Sequence, residues 1–390
     1  MLTLVSITLV GSMSIHLFLP VLPEVKKSFD ASDAMVGATF SLALLAMACS
    51  TLVYGALSDR LGRRPVLLTG LSLFCLGSLL SALAPSVEAL LGARVLQALG
   101  AGCGVTLARA IARDRFGSER LLKAIAYLAM ATTLATMFSP LLSGLLVDSL
   151  GWRSVLWMVF LAGGAILAAA WRVLAESRPA EDAAAQSSGF LRNYASLLSN
   201  PVFAGYVLSN GFSSGTFIST ASALTFLLKD YLGRSATEFG LYFALFPAGF
   251  VCGNYLAGRL NARISPDTQI LTGALIMALL VAGQAALILM GHVTPLTLVI
   301  PWCLISIAQG LITPNAHAGA IRVRPHLAGT AAGIAMFCHF ALGAAFVQFG
   351  TLIADGTPVP MVITMSAGTV LTVVCSAIPY ALRRRRRHRS

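Results

Sequence analysis

The sequence predicts an all-α integral membrane protein of twelve transmembrane helices, arranged as two six-helix halves with both termini in the cytoplasm. Three observations predict it. Of the 390 residues, 57% are hydrophobic and only 11% charged, with a mean hydropathy of +0.82, whereas soluble domains carry roughly 25% charged residues. Apolar runs long enough to cross a bilayer, about 20 residues each, recur almost without pause. Lysine and arginine, finally, concentrate on alternate loops.

The runs cover residues 2–23, 34–57, 66–85, 87–112, 121–147, 153–174, 201–228, 237–260, 267–291, 295–320, 327–354 and 359–382. The first has no basic residue before it and no small-residue cleavage site after it, so it is expected to be a retained span rather than a signal peptide. With the amino terminus inside, the far-side loops hold only Lys26, Lys27, Arg153, Lys229 and Arg234. Arg94 and Arg109 lie within span 4, and the rest of the 27 basic residues fall on the cytoplasmic side. Such asymmetry orients both termini inward. It also accounts for most of the +12 net charge, so nucleic-acid binding is not implied. The Arg383–Arg387 run reads as an anchor at anionic headgroups, with a recognition site as the other reading. Seven cysteines (Cys49, Cys75, Cys103, Cys252, Cys303, Cys338, Cys375) are scattered singly through apolar runs. They read as small hydrophobes, not as disulfides or metal ligands, and no metal site is expected.

The longest polar interruption, ESRPAEDAAAQSSGFLRN, divides the spans six and six. This gives an amino-terminal bundle over 1–175, a cytoplasmic linker over 176–200, a carboxy-terminal bundle over 201–383 and a basic tail over 384–390. Parallel repeats of this kind place a substrate site between the halves near the midplane. A modest internal echo supports the repeat: YGALSDRLGRRP, from Tyr54, and YLAGRLNARISP, from Tyr255, each close an even-numbered span.

In order along the chain, four elements carry chemistry. Span 1 contains SIHLFLPVLPEV, where His16 sits in an apolar run that makes an ionisable group costly unless something uses it. The loop after span 2 reads GALSDRLGRR. Gly55 permits a close helix approach, Asp59 can cap a helix amino end, Gly62 allows a tight turn, and Arg60, Arg63 and Arg64 face headgroups or acids. Span 4 reads LGARVLQALGAG, with Arg94 and Gln97 on one helical face. Arg94 lies roughly 10 Å below the start of its span, so it either marks an ion or substrate pathway or snorkels to the interface. Span 5 holds TMFSPLLSGLLVDSLGWR. Pro140 with Gly144 loosens that helix, while Ser139 and Ser143 keep its surface small.

These motifs together resemble the major facilitator superfamily. GALSDRLGRR resembles its loop signature, LGARVLQALGAG its span-4 arginine motif, and SPLLSG a partial form of its antiporter motif. FLPVLPEV and PHLAGTAAG resemble segments of the twelve-span drug:proton antiporters, particularly the bicyclomycin and chloramphenicol exporters. The resemblance implies the major facilitator fold, a bacterial inner-membrane location and a latch in which Asp59 holds the amino end of span 11. The second copy has Leu260 where Asp59 falls, so its latch is expected to be degraded or absent. The branch also usually carries an aspartate in span 1 as a proton-handling group. Here His16 stands in that column, and all fifteen carboxylates lie at span ends or in loops. His16 and Arg94 lie at matching depth, and if spans 1 and 4 adjoin, as the fold implies, the pair becomes His–Arg. A second charge beside Arg94 is then disfavoured, leaving His16 neutral at pH 7. His339 is a further candidate proton carrier and His317 a third; for each a structural role stays open.

The expected cavity is apolar and aromatic, drawing on Phe18, Met47, Met130, Phe138, Phe212, Phe217, Phe246 and Phe337, with polar points at Gln97, Asn210 and Asn315. Individually any of these can equally pack against helices or lipid. Lacking an embedded acid, the cavity suits neutral or zwitterionic cargo of the chloramphenicol type. No phosphate-binding loop or nucleophile–base cluster appears, so neither an enzyme nor an ATP-driven pump is expected. The expected function is proton-coupled drug efflux by a monomer without cofactors, powered by the proton gradient. The alternatives are a metabolite exporter or uncoupled carrier (nucleoside, sugar or amino-acid derivative) and a non-transporting membrane sensor.

Overall fold

The computed structural model describes residues 1–116, 118–177 and 190–387. The linker stretch 178–189 with Arg178, the tail end 388–390, and the side chains of Arg192 and Arg384 to Arg387 lie outside the described residues. Among the described residues twelve helices are long and apolar enough to span a membrane: Leu2–Phe29, Asp33–Leu61, Arg63–Ala82, Val87–Arg115, Lys123–Leu150, Trp152–Val173, Pro201–Tyr231, Ala236–Leu260, Pro266–Leu289, Pro295–Val323, Pro325–Leu352 and Val359–Arg383. They are the twelve expected spans. Span 1 overruns its apolar stretch because the polar segment Glu24–Phe29 continues as helix, stopping where Asp30 turns left-handed at φ 48°.

Local chemistry sets the other ends. Ser32, Ser86 and Ser265 each accept the backbone N–H three residues on, at Met35, Ala89 and Thr268. Asn200 caps Val202 and Phe203, and Thr294 with Thr297 forms a reciprocal capping box. Proline occupies the first helical position at Pro201, Pro266 and Pro295, where its missing donor costs nothing. The segment before span 7, expected as linker, contains a short helix, Phe190–Leu198, that buries Leu197.

The chain forms two compact units: Met1–Ser187 with Arg234–Ala244, and Ser188–Gly233 with Leu245–Ser390. The first 9 residues of span 8, Ala236–Ala244, thus belong with the first unit. In the first unit span 4 is the hub, packed against spans 1, 2 and 3. Gly100 lies against the backbone of Gly70 and Phe74, and Gly104 against the Ile7 carbonyl, so a side chain at either would force helices apart. In the second unit span 7 is the hub, packed against spans 10, 11 and 12. It is rich in hydroxyls yet buried, which a bilayer tolerates only if every polar group is satisfied. Ser209, Thr216, Ser219, Thr220 and Thr225 meet that demand by donating to carbonyls of their own helix.

Candidate substrate and coupling site

Span 1 is not one helix. Leu2–His16 ends as α-helix, Leu17 and Phe18 form a turn, Leu19–Val21 is a 3-10 turn, and Leu22–Phe29 resumes. The sequence explains the break. Pro20 lacks an N–H and its ring collides with the carbonyl four residues back, at His16; Pro23 does the same at Leu19. Carbonyls near the break turn to other helices. Arg94 Nη2 donates to the Ser14 carbonyl at 2.6 Å, and Ser143 Oγ of span 5 donates to the Leu17 carbonyl at 2.6 Å.

Arg94 is 2% exposed, which excludes snorkelling. Its Nη1 bonds Gln97 Oε1, Gln97 Nε2 donates to Ser78 Oγ at 2.7 Å, and Ser78 donates to the Phe74 carbonyl. The Phe18 ring lies 3.9 Å from the guanidinium carbon, a cation–π contact. Among the described residues no carboxylate pairs with Arg94. Phe18, Gln97 and Arg94 therefore form one cluster; of these only Arg94 and Gln97, on one helical face, are expected together from the sequence. His16 stands apart from it. Its ring lies beside Phe243, centroids 5.8 Å apart, and its Nδ1 is buried without a hydrogen-bond partner. Ser14 and Phe18, four apart, face Arg94, whereas a residue two positions on points about 200° round the helix. Matching depth is not matching azimuth.

The loop signature is built from more distant residues than its sequence shows. Arg63 Nη1 pairs with Asp59 at 2.6 Å and donates to Ser58, while Arg63 Nε pairs with Asp114 at the end of span 4 at 2.9 Å. Gly62, at φ 98°, adopts a backbone that favours glycine and starts span 3. The carboxylate that caps this start is Glu176, not Asp59: it accepts the N–H groups of Arg63 and Arg64 at 2.9 and 3.0 Å. Arg64 reaches the Trp171 carbonyl, and Gly55 leaves room beside Thr106. Arg60 stands at the exposed end of span 2. Glu176→Ala is expected to lower stability by about 1 kcal/mol, the usual worth of a helix cap, read as a lower melting temperature; an unchanged value would discount the cap.

Across span 8 a different chain occupies the corresponding place. Asn315 Nδ2 of span 10 donates to Gln269 Oε1 of span 9, and Gln269 Nε2 donates to Asn261 Oδ1 just beyond span 8. In the second copy, where Leu260 stands in the column of Asp59 and a degraded or absent latch is expected, this amide chain carries no formal charge. Asn315 belongs to that chain. Nearby, the Tyr206 hydroxyl bonds Asp267, which pairs with Arg383 at 3.7 Å.

In span 5, Ser139 is buried and Pro140 lies inside the helix. Gly144 abuts the Ala236 carbonyl, and Gly240 abuts Leu141. Asp148 caps the amino end of span 8, accepting Ala236 N–H at 3.2 Å, Thr237 N–H at 2.8 Å and the Thr237 hydroxyl at 2.6 Å. In the sequence Asp148 shows only as a carboxylate at the end of a span. Asp148→Ala is expected to raise hydrogen exchange at the amides of Ala236 and Thr237; protection equal to wild type would show that the cap contributes nothing.

The second unit gathers two histidines on span 7. Ser214 Oγ shares a hydrogen bond of 2.7 Å with His339 Nδ1 of span 11, and Asn210 Nδ2 donates to His317 Nε2 of span 10 at 3.2 Å. One helical turn separates the two anchors. Phe217 stacks on Phe246 at 3.5 Å and on Trp302 at 5.1 Å, forming an aromatic cluster. Phe212 meets Phe346 edge-on, and Phe337 is half-buried. Met47 is buried in its own unit, whereas Met130 and Phe138 are 54% and 52% exposed on one face of span 5.

With twelve helices among its described residues long and apolar enough to span a membrane, the protein falls in the class of multi-pass membrane proteins. The chain belongs to the Major Facilitator Superfamily, whose family description matches residues 4–347. It is 31% identical to Multidrug resistance protein D of Escherichia coli (strain K12), over 86% of this chain and 84% of that one. It is 30% identical to the uncharacterized MFS-type transporter YdgK of Bacillus subtilis (strain 168), over 91% and 89%. Multidrug resistance protein MdtL of Shigella dysenteriae is 28% identical over 85% and 84%. Among solved structures, a D-xylose-proton symporter superposes with TM-score 0.78 at 13% identity, covering 97% of this chain and 96% of that one. A bacterial homologue of the human lysosomal transporter Spinster, inward-facing and unoccupied, gives 0.77 at 16% identity over 98% and 96%.

Proposed function

We propose that this protein is a proton-coupled exporter of small hydrophobic or amphipathic drugs, working by alternating access as a monomer in a bacterial cytoplasmic membrane with both termini inside. The observation that carries this reading is the broken first span. Discontinuous helices are where transporters of this kind bind substrates and coupling ions, because unwound backbone offers polar groups at membrane depth. Multidrug-resistance relatives at about this similarity favour drugs as cargo. No cofactor is needed, since the proton gradient supplies the energy. His339, held to Ser214 and half-buried, is the proton carrier this reading favours over His16. Arg94 organises span 1.

The test is made in energised everted vesicles. Adding chloramphenicol is expected to collapse part of the imposed pH gradient in vesicles containing the protein and not in vesicles lacking it. The absence of a carboxylate at Arg94 favours a second reading, an uncoupled carrier. Drug flux with no proton movement would establish that one and sink coupling.

A further inference from the structure

We propose that spans 7 and 10 of the second unit carry a subsite for hydrogen-bond-donating groups of an uncharged cargo, its hydroxyl or amide N–H groups, accepted by Asn210, Thr313 and Gln309. This rests on the transport reading above and narrows the class of substrate.

The two helices run antiparallel in register. Tyr206 lies against Gly319 and Asn210 against His317, so as one number rises the other falls. The same register brings Thr313 to the level of Ser214 and Gln309 close to that of Phe217. Gln309, Thr313 and His317 follow one another at four-residue intervals, a single stripe on span 10 roughly 12 Å long.

Oxygens along this stripe lack protein partners. Asn210 is 1% exposed and gives its amide N–H to His317, leaving Oδ1 unpartnered. Gln309 is 3% exposed with Oε1 unpartnered, and Thr313 Oγ1 is buried without a partner. Span 7 mostly shows the ordinary alternative, since Ser209, Thr216, Ser219, Thr220 and Thr225 donate to their own helix, while Ser222 Oγ is a further buried oxygen without a partner. Buried acceptors left unmade are expensive, more so where lipid surrounds the unit. Three of them within a few turns make an accepting surface rather than a packing accident.

The chemistry selects its ligand. No Asp or Glu lies in the described residues between Asn210 and Leu228 of span 7 or in span 10, so the acceptors carry partial, not formal, negative charge. They favour neutral donors over a cation, which would want a counter-charge. The Phe217, Phe246 and Trp302 stack beside Gln309's level offers an apolar wall for the rest of such a molecule.

Two probes discriminate, measured by equilibrium binding to the full-length protein in lipid nanodiscs. Chloramphenicol has hydroxyl and amide donors and no charge; tetraphenylphosphonium is a cation with no donor. Thr313→Val and Gln309→Met are each expected to weaken chloramphenicol about three- to tenfold, the worth of one neutral hydrogen bond. Tetraphenylphosphonium affinity should stay the same. Melting temperatures should not fall, because the removed oxygens hold nothing in the fold. Chloramphenicol affinity within twofold of wild type in both variants would overturn the subsite. So would equal weakening of both probes, or a fall in melting temperature. Should wild type bind neither probe, the transport reading falls and the subsite with it; wild-type binding with indifferent variants overturns the subsite alone.

Discussion

Arg94→Ala is expected to abolish drug resistance in an efflux-deficient host and to lower stability by roughly 3 kcal/mol. The guanidinium ties the broken first span to span 4 through the Ser14 carbonyl and Gln97, with Phe18 stacked upon it. Its removal strands two buried acceptors, each costing about 1–3 kcal/mol, and leaves a cavity under the aromatic ring. Arg94→Lys should rescue little of this. A point charge cannot span two acceptors in different directions while lying flat against a ring. Both variants can be compared by melting temperature in detergent and by resistance at matched membrane abundance. Wild-type melting and resistance in Arg94→Ala would mean that the break is maintained by Pro20 and Pro23 alone.

His339→Ala should eliminate the drug-induced collapse of the pH gradient in everted vesicles while drug binding persists within about threefold. His339 is hydrogen-bonded to the buried hub of the second unit, and histidine as a residue type changes charge in the physiological pH range. His339→Gln, which can still bond Ser214 but cannot carry a proton, separates coupling from structure and should behave like the alanine variant. Coupling that survives in both would exclude His339. His16→Asp, restoring an acid to span 1, should then be compared with His16→Ala. Equal coupling in those two would leave His16 as a packing residue beside Phe243.

Much of the fold was legible because hydropathy over twenty-residue windows and loop charge are averages, and averages survive local detail. Within the site, what could be read was local. Arg94 and Gln97 bond across one helical turn, a spacing visible in the string. Pairings between distant segments were not. Glu176 caps span 3 from more than a hundred residues away, and Asp114 meets Arg63 across two helices. The His16–Arg94 reading used rise along the helix and left out rotation, which decides what a side chain faces. Asn315, expected in the cavity as one of three polar points, lies in an amide chain that the packing of spans 8, 9 and 10 creates. The sequence echo at Leu260 concealed it because Asn261 and Gln269 are shifted from the columns of Asp59 and Arg63, although Asn315 falls in the column of Asp114.

That substitution of amides for charges has an electrostatic consequence. In the first half the fastening is ionic and Asp59 is 45% exposed at its side chain, so dissolved salt competes for it over a Debye length of about 8 Å. The Asn261, Gln269 and Asn315 chain carries no formal charge and titrates nowhere in the physiological range. A change in ionic strength therefore weakens the Asp59–Arg63 pairing and leaves the amide chain as it was, so that the two copies of the motif differ in their response to their surroundings.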